Sequence, residues 1–203
     1  MRTQNELTTR FSRAFHTHRH IGWITATLAL TLLVMATGCN TGNPFMRMQP
    51  NYAALPVEEL RAMANQIEQA VAQGDRDAVF PDQGAVTVDT TQLRQAIRTR
   101  AARAELLHEL LAAGYLKEEK SGLVGIERNR AYTQATTRRE RDRHAMVVMG
   151  ENRDRWTLYE GIVKENNYAS RNLSAIQAIF HEARLAHLPS NAIYDALDPA
   201  MLP

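Results

Sequence analysis

Leu60, Met63, Ile67 and Val71 recur at steps of three and four residues, a spacing that returns each time to one face of a helix. Pro56 stands at the entrance of this run and Gly74 at its exit, so the pattern predicts a first helix between them. A loop (DRDAVFPDQG) and a short extended piece, AVTV at 85–88, follow. Asp89 then opens a second run, with Gln92 three places on as its capping-box partner. Its apolar stripe is Leu93, Ile97, Ala101, Ala104, Leu107 and Leu111, and Gly114 closes it. The alanines in mid-run predict a close helix crossing. The period breaks in YLKEEKSGLVGIERN, where Gly122 and Gly125 flank Leu123 and Val124. That segment predicts a turn and a strand, paired with AVTV as a two-stranded element.

A long third helix is predicted up to Asn166. Its first part alternates sign through Arg138, Arg139, Glu140, Arg141, Asp142 and Arg143, the pattern of a solvated face. Its second part places Val148, Asn152, Trp156, Tyr159, Val163 and Asn166 on one stripe. A last helix buries Ile176, Ile179, Phe180 and Ala183 and stops before Pro189, after which SNAIYDAL folds back on the body. The fold class expected is mainly α: a small domain over 57–203 with about four helices and a short two-stranded β element.

The N-terminal segment follows different rules. Residues 1–22 are polar and basic, and Ile24 to Ala36 then carries no charge. That run suits the apolar region of a secretory signal, whereas a membrane span needs ~20 residues. It ends in Ala36, Thr37 and Gly38 before Cys39, the single cysteine of the chain. This resembles the lipobox of bacterial lipoproteins. The resemblance implies cleavage between Gly38 and Cys39, acylation of the Cys39 sulfur, and attachment to a membrane through at least two acyl chains, where one chain holds only weakly. In lipoproteins of this kind Asp after the cysteine favours inner-membrane retention, so Asn40 is compatible with the periplasmic face of the outer membrane. The competing reading is an uncut signal anchor over Ile21 to Gly38, a span diluted by Thr25, Thr27 and Thr31. The organisation expected is a signal peptide at 1–38, a lipidated cysteine and tether at 39–56, and the helical domain. With one cysteine, no internal disulfide is available to stabilise the exported body.

Charge adds an exclusion. The formal net charge is +2, and Arg2, Arg10, Arg13 and Arg19 lie within the signal segment against Glu6 alone. From Cys39 onward 20 basic residues face 21 acidic ones. A neutral body with acids interleaved among its arginines does not suit nucleic acid.

Where the helical period breaks, a second resemblance begins. Gly114, Glu118, Gly122, Leu123 and Val124, followed by Asn152, Arg155, Tyr159, Ile162 and Asn166 at N-x-x-R-x-x-x-Y-x-x-[IL]-x-x-x-N spacing, resemble the YdbL family of small exported bacterial proteins. The likeness covers residues 105–195. Lys117 and Leu123 stand where that family often has Gly and Tyr. The resemblance implies a non-catalytic periplasmic accessory protein, associated with envelope machinery of the AsmA-like lipid-transport type and with an envelope protein partner. Read as residues, the second set shares one helix face. Tyr159 and Ile162 are core positions, Asn152 satisfies a loop backbone, Asn166 ends the helix in a left-handed turn, and Arg155 pairs with Glu118 across the loop. Partner contact by the same set is the alternative.

Motifs of catalysis are sparse. The sequence has no Gly-x-Ser-x-Gly elbow, no phosphate loop and no His-Glu-x-x-His pattern. His16 to His20 fall in the signal segment, and His108, His144, His181 and His187 read as helix-surface residues without metal spacing. No cofactor is expected. Glu118 and Glu119 in the Glu118–Gly125 loop are the nearest approach to the paired carboxylates of an envelope hydrolase, and adjacent acids beside a lysine read as solvated. The expectation is an accessory module and no enzyme, with a hydrolase and a structural envelope spacer as alternatives.

Overall fold

The computed structural model describes residues 52–197. The signal segment, Gly38, Cys39 and the tether up to residue 51 lie outside the described residues.

Among the described residues, five helices and three short strands form in the order α1 (Val57–Ala72), α2 (Thr91–Ala112), β1 (Leu116–Glu118), β2 (Val124–Ile126), α3 (Arg130–Ala135), α4 (Arg138–Glu165), a 3-10 turn (Ser170–Asn172), α5 (Leu173–Leu185) and β3 (Ile193–Tyr194). The domain is thus mainly α with a small β element. The α1 and α5 stripes are buried as the spacing requires: Leu60, Met63 and Ile67 meet Ile176, Ile179 and Phe180, all without exposure. Leu93 and Ile97 of α2 and Leu158, Tyr159 and Ile162 of α4 complete this core. A second, smaller cluster gathers Leu107, Leu110, Leu111, Leu116 and Val124.

The helix ends show why the chain stops and starts where it does. Thr90, not Asp89, caps α2: its hydroxyl accepts from Leu93 N–H, so the Asp89–Gln92 box does not form. A true capping box stands at Thr137 and Glu140, where α4 begins. Its left-handed exit is at Asn167 (φ 53°), one residue later than expected, because Asn166 still has a near-helical backbone and its side chain is engaged elsewhere.

The sheet differs from expectation. Leu123 and Val124 do not pair with AVTV. Instead β2 closes a local hairpin on β1, with Leu116 opposite Ile126 and Glu118 opposite Val124. Strand β3 then lies parallel to β1 on its other side, so the tail after α5 does fold back. Hairpin closure over so short a loop costs less chain entropy than pairing with a strand about 38 residues away. AVTV finds a substitute neighbour: the Asn166 carboxamide accepts from Thr87 N–H (2.8 Å) and donates to Thr87 C=O (2.9 Å), the two bonds a strand would supply. This lets Val86 and Val88 plug the core. At the other end, Ala53 N–H donates to Asn167 C=O and Leu55 packs on the core, so the last residues expected in the tether belong to the body.

The α4 stripe is rotated from its expected position. Trp156 is on the rim and Val148 half-buried, while the buried line runs His144, Glu151, Asp154, Arg155, Leu158, Tyr159, Ile162. The helix turns charges inward, and what they meet defines the site.

Candidate functional site

Along α2, Leu93 and Ile97 serve the main core and Leu107 and Leu111 the second cluster, with Arg100 between them. On α4, Leu158 and Ile162 serve the first and Val147 and Val148 the second, with Glu151 and Arg155 between. The seam between the two apolar clusters is therefore ionic. Six residues from five elements close a ring of alternating charge within it. Glu68 (α1) accepts from both terminal nitrogens of Arg100 (3.1 and 2.7 Å). Arg100 Nε donates to Glu151 Oε1 (2.9 Å), which also accepts from Arg155 Nε (2.8 Å). Arg155 forks onto Glu118 of β1 with two bonds of 2.7 Å. Glu118 Oε2 accepts from Arg184 Nε of α5 (3.3 Å), and Arg184 Nη1 returns to Glu68 (2.9 Å). None of the six is more than 5% exposed.

Burying six charges is costly unless each is paired and hydrogen-bonded, and here every one has two opposite neighbours. Burial pushes the Glu68 carboxyl up, but Arg100 and then Arg184 outweigh it and hold it below the usual carboxylate range. Glu118 is held low in the same way by Arg155 and Arg184, against its burial. For Glu151 burial is outweighed by Arg100 and Arg155, and the carboxyl lies far below its ordinary value. An outer branch, Arg103 with Glu151 and Asp154 (2.7 Å each), carries the network toward solvent.

The Gly122 carbonyl is the neutral hub. It accepts from Tyr159 Oη (2.8 Å), Arg155 Nη1 (3.2 Å) and Arg184 Nη2 (2.8 Å). Glycine is required there, because its φ is +77° and a Cβ would sit 3.1 Å from the Gln177 carbonyl oxygen. Asn152 pins the chain two residues further on, donating to Val124 C=O and accepting from Val124 N–H at 2.9 Å each.

The motif residues of the sequence thus meet in one place. Glu118, Gly122, Asn152, Arg155 and Tyr159 join β1, the hairpin loop and α4, while Asn166 performs the same backbone service for Thr87 at the far end of α4. The Arg155–Glu118 pairing and the backbone role of Asn152 agree with expectation. The solvated reading of Glu118 does not: it is 1% exposed. Glu119 leaves the strand on the other side, beside Gly125, with Ser121 Oγ donating to it at 3.4 Å. The two carboxylates do not converge, and Glu118 is held ionised, the reverse of what a general acid needs.

Sequence reading missed Glu68, Arg100, Glu151 and Arg184. The signal was present in register: Glu68 sits four residues after Ala64, Arg100 three after Ile97, Arg184 four after Phe180, each on its own helix's apolar face. His181, expected on a helix surface, is fully buried. Its Nε2 donates to the Asp195 carbonyl (3.0 Å), fastening the strand-β3 tail, and its Nδ1 has no partner among the described residues. Burial, then the nearby Arg184 cation, hold its pKa below the ordinary value. His144 is likewise buried, against Tyr115 and with Tyr132 Oη at 3.2 Å from Nδ1.

A cleft of about 220 Å³ opens onto the ring, with Leu107, Leu111 and Leu188 among its walls. No described helix is long and apolar enough to cross a membrane. Comparison of the chain with protein families, with curated proteins and with solved structures finds no match, so the likeness to the YdbL family stands on the motif residues alone.

Proposed function

We propose that this protein is a lipid-anchored accessory module of the bacterial envelope, acting without catalysis by presenting a rigid surface to a protein partner. The observation that carries the reading is the two-sidedness of α4. Its inner face is locked by Glu151 and Arg155 into the ring, and its outer face shows Met146, Met149 and Trp156 at 69%, 67% and 36% exposure. Steps of three and seven residues put these three side chains on one line. Methionine and tryptophan at a shared exposed line suit a protein interface, where they supply contact area that adapts in shape. The motif residues spend their polar groups on holding this scaffold. The YdbL resemblance supports the same reading, with envelope lipid-transport machinery as the setting. Cys39 supplies the anchor, on the outer membrane by the sorting preference of Asn40.

Two measurements test it. Intact mass of the membrane-extracted protein should begin at an acylated Cys39, and Cys39→Ser should abolish that species; an uncut chain in both samples contradicts the anchor. A photo-crosslinking amino acid at position 149 in living cells should give a discrete protein adduct, reduced by Trp156→Ala. The same probe at Arg171, in the turn that precedes α5, should not. Equal adducts at both positions, or none at 149, contradict the partner face.

A further inference from the structure

The cleft beside the ring has the chemistry of a binding site. Its walls are mostly apolar, formed by Val71, Ala104, Leu107, Leu111 and Leu188, with Gln73 at one side. Its floor is the ring itself: Arg100, Arg155 and Arg184 line it with Glu68 and Glu118, while Glu151, the third carboxylate, does not. The lining thus shows three cations to two anions, while the charge that balances the ring, Glu151, sits outside the lining on Arg100 and Arg155. His108 and His187 also line the space and add no anion.

Hydrogen-bond supply points the same way. A guanidinium carries five N–H donors. Arg100 spends three, on Glu68 and Glu151. Arg184 also spends three, on Glu118, Glu68 and the Gly122 carbonyl. Two donors on each have no protein acceptor. The carboxylates are the opposite case, since both oxygens of Glu68 and of Glu118 already accept from a guanidinium. A cationic head would find both ring carboxylates engaged, whereas an anion finds unspent guanidinium donors in a low-dielectric floor, where charge-assisted bonds are strong.

We propose that this cleft binds a monocarboxylate bearing a short apolar tail, its head on the spare N–H groups of Arg100 and Arg184 and its tail against Leu107, Leu111 and Leu188. The volume holds roughly seven waters at ~30 Å³ each, so a tail of about six to eight carbons fits and a long acyl chain does not. A free medium-chain fatty acid and the C-terminal carboxylate of a peptide ending in leucine share this chemistry. The site goes beyond the partner face on α4 and stands without it.

The test uses the full chain in phosphatidylcholine nanodiscs, photolabelled with octanoate carrying a diazirine in its tail. Adducts should map to residues 104–111 and 187–189. Octanoate, or an acetylated dipeptide ending in leucine, should displace the label at a concentration about tenfold below octanol, the difference charge-assisted hydrogen bonds confer. Whichever of the two competes identifies the source. Ala104→Phe, which fills the cleft from a half-buried position, should remove the adduct while the far-UV spectrum and melting curve persist. If that variant does not fold, the wild-type competition decides alone. Octanol competing as well as both carboxylates, or adducts spread outside the cleft, would overturn the proposal.

Discussion

The apolar core and the ionic seam are two solutions to the same packing problem, side by side on the same helices. In the core, Leu60, Ile67, Ile179 and Phe180 are held by contact alone, and contact is graded: a lost methyl removes part of the energy and leaves the rest. In the seam, Arg100, Arg155 and Arg184 each neutralise two carboxylates, so losing one leaves two buried charges short of a partner. The core tolerates change in proportion to volume. The seam tolerates change only in neutral pairs. It also gives what contact cannot, a unique register: five elements must be in place together for the ring to close.

The largest effect should come from breaking that neutrality. Arg155→Met should destabilise the domain by about 3–5 kcal/mol, because Glu118 stays buried with Arg184 alone and Glu151 loses one of its three guanidinium partners; urea unfolding measures it. Ile179→Val, a one-methylene change at a fully buried core site, should cost only about 0.5–1.5 kcal/mol in the same assay. A seam change no larger than this core change would erase the contrast.

Gly122→Ala should fall between these, at about 1–3 kcal/mol. It forces a left-handed backbone on alanine and displaces the carbonyl shared by Tyr159, Arg155 and Arg184. Rescue by a compensating cavity at Gln177 is not expected, since the near contact is with its backbone oxygen.

Acid should separate the two regions without mutation. Glu68, Glu118 and Glu151 have folded-state pKa values below the ordinary 4.5, so the unfolded chain binds protons first as pH falls. Their contribution is complete above pH 4.5 and is lost as pH falls below it. His144 and His181, both depressed from 6.5, act with the same sign and add an earlier, smaller loss below pH 6.5. Thermal melts from pH 7 to pH 3 should show a shallow decline, then a steep one. A domain most stable at pH 4 would contradict the seam's role.

The smallest effect belongs to the outer face of α4. Met149→Ala should move stability by no more than about 0.5 kcal/mol, as surface changes do, while weakening the partner crosslink.

How far the sequence carries can be judged from the same two regions. The core was legible because hydrophobic periodicity is its only requirement: Leu60, Met63, Ile67 and Ile176, Ile179, Phe180 fall where three- and four-residue steps put them. Arg155 with Glu118 was legible because a motif placed them together. Glu68, Arg100 and Arg184 were not, because a charge on an apolar face counts against burial until its partners, 32 and 116 residues distant from Glu68, are known to meet there. The rotated stripe of α4 has the same cause, since its buried line is partly charged. The pairing of β1 with β2 rather than with AVTV turned on the Asn166 side chain replacing a strand, which no periodicity reveals.

The most direct test of the ring is a double-mutant cycle on Glu118 and Arg155, with each replaced by Met and stability read from urea unfolding. Mutual neutralisation predicts that the double mutant, which restores zero net charge in the seam, is more stable than Arg155→Met alone, with a coupling of about 2–3 kcal/mol. Additive losses, the double mutant falling by the sum of the two singles, would contradict it and reduce the ring to six independent buried side chains.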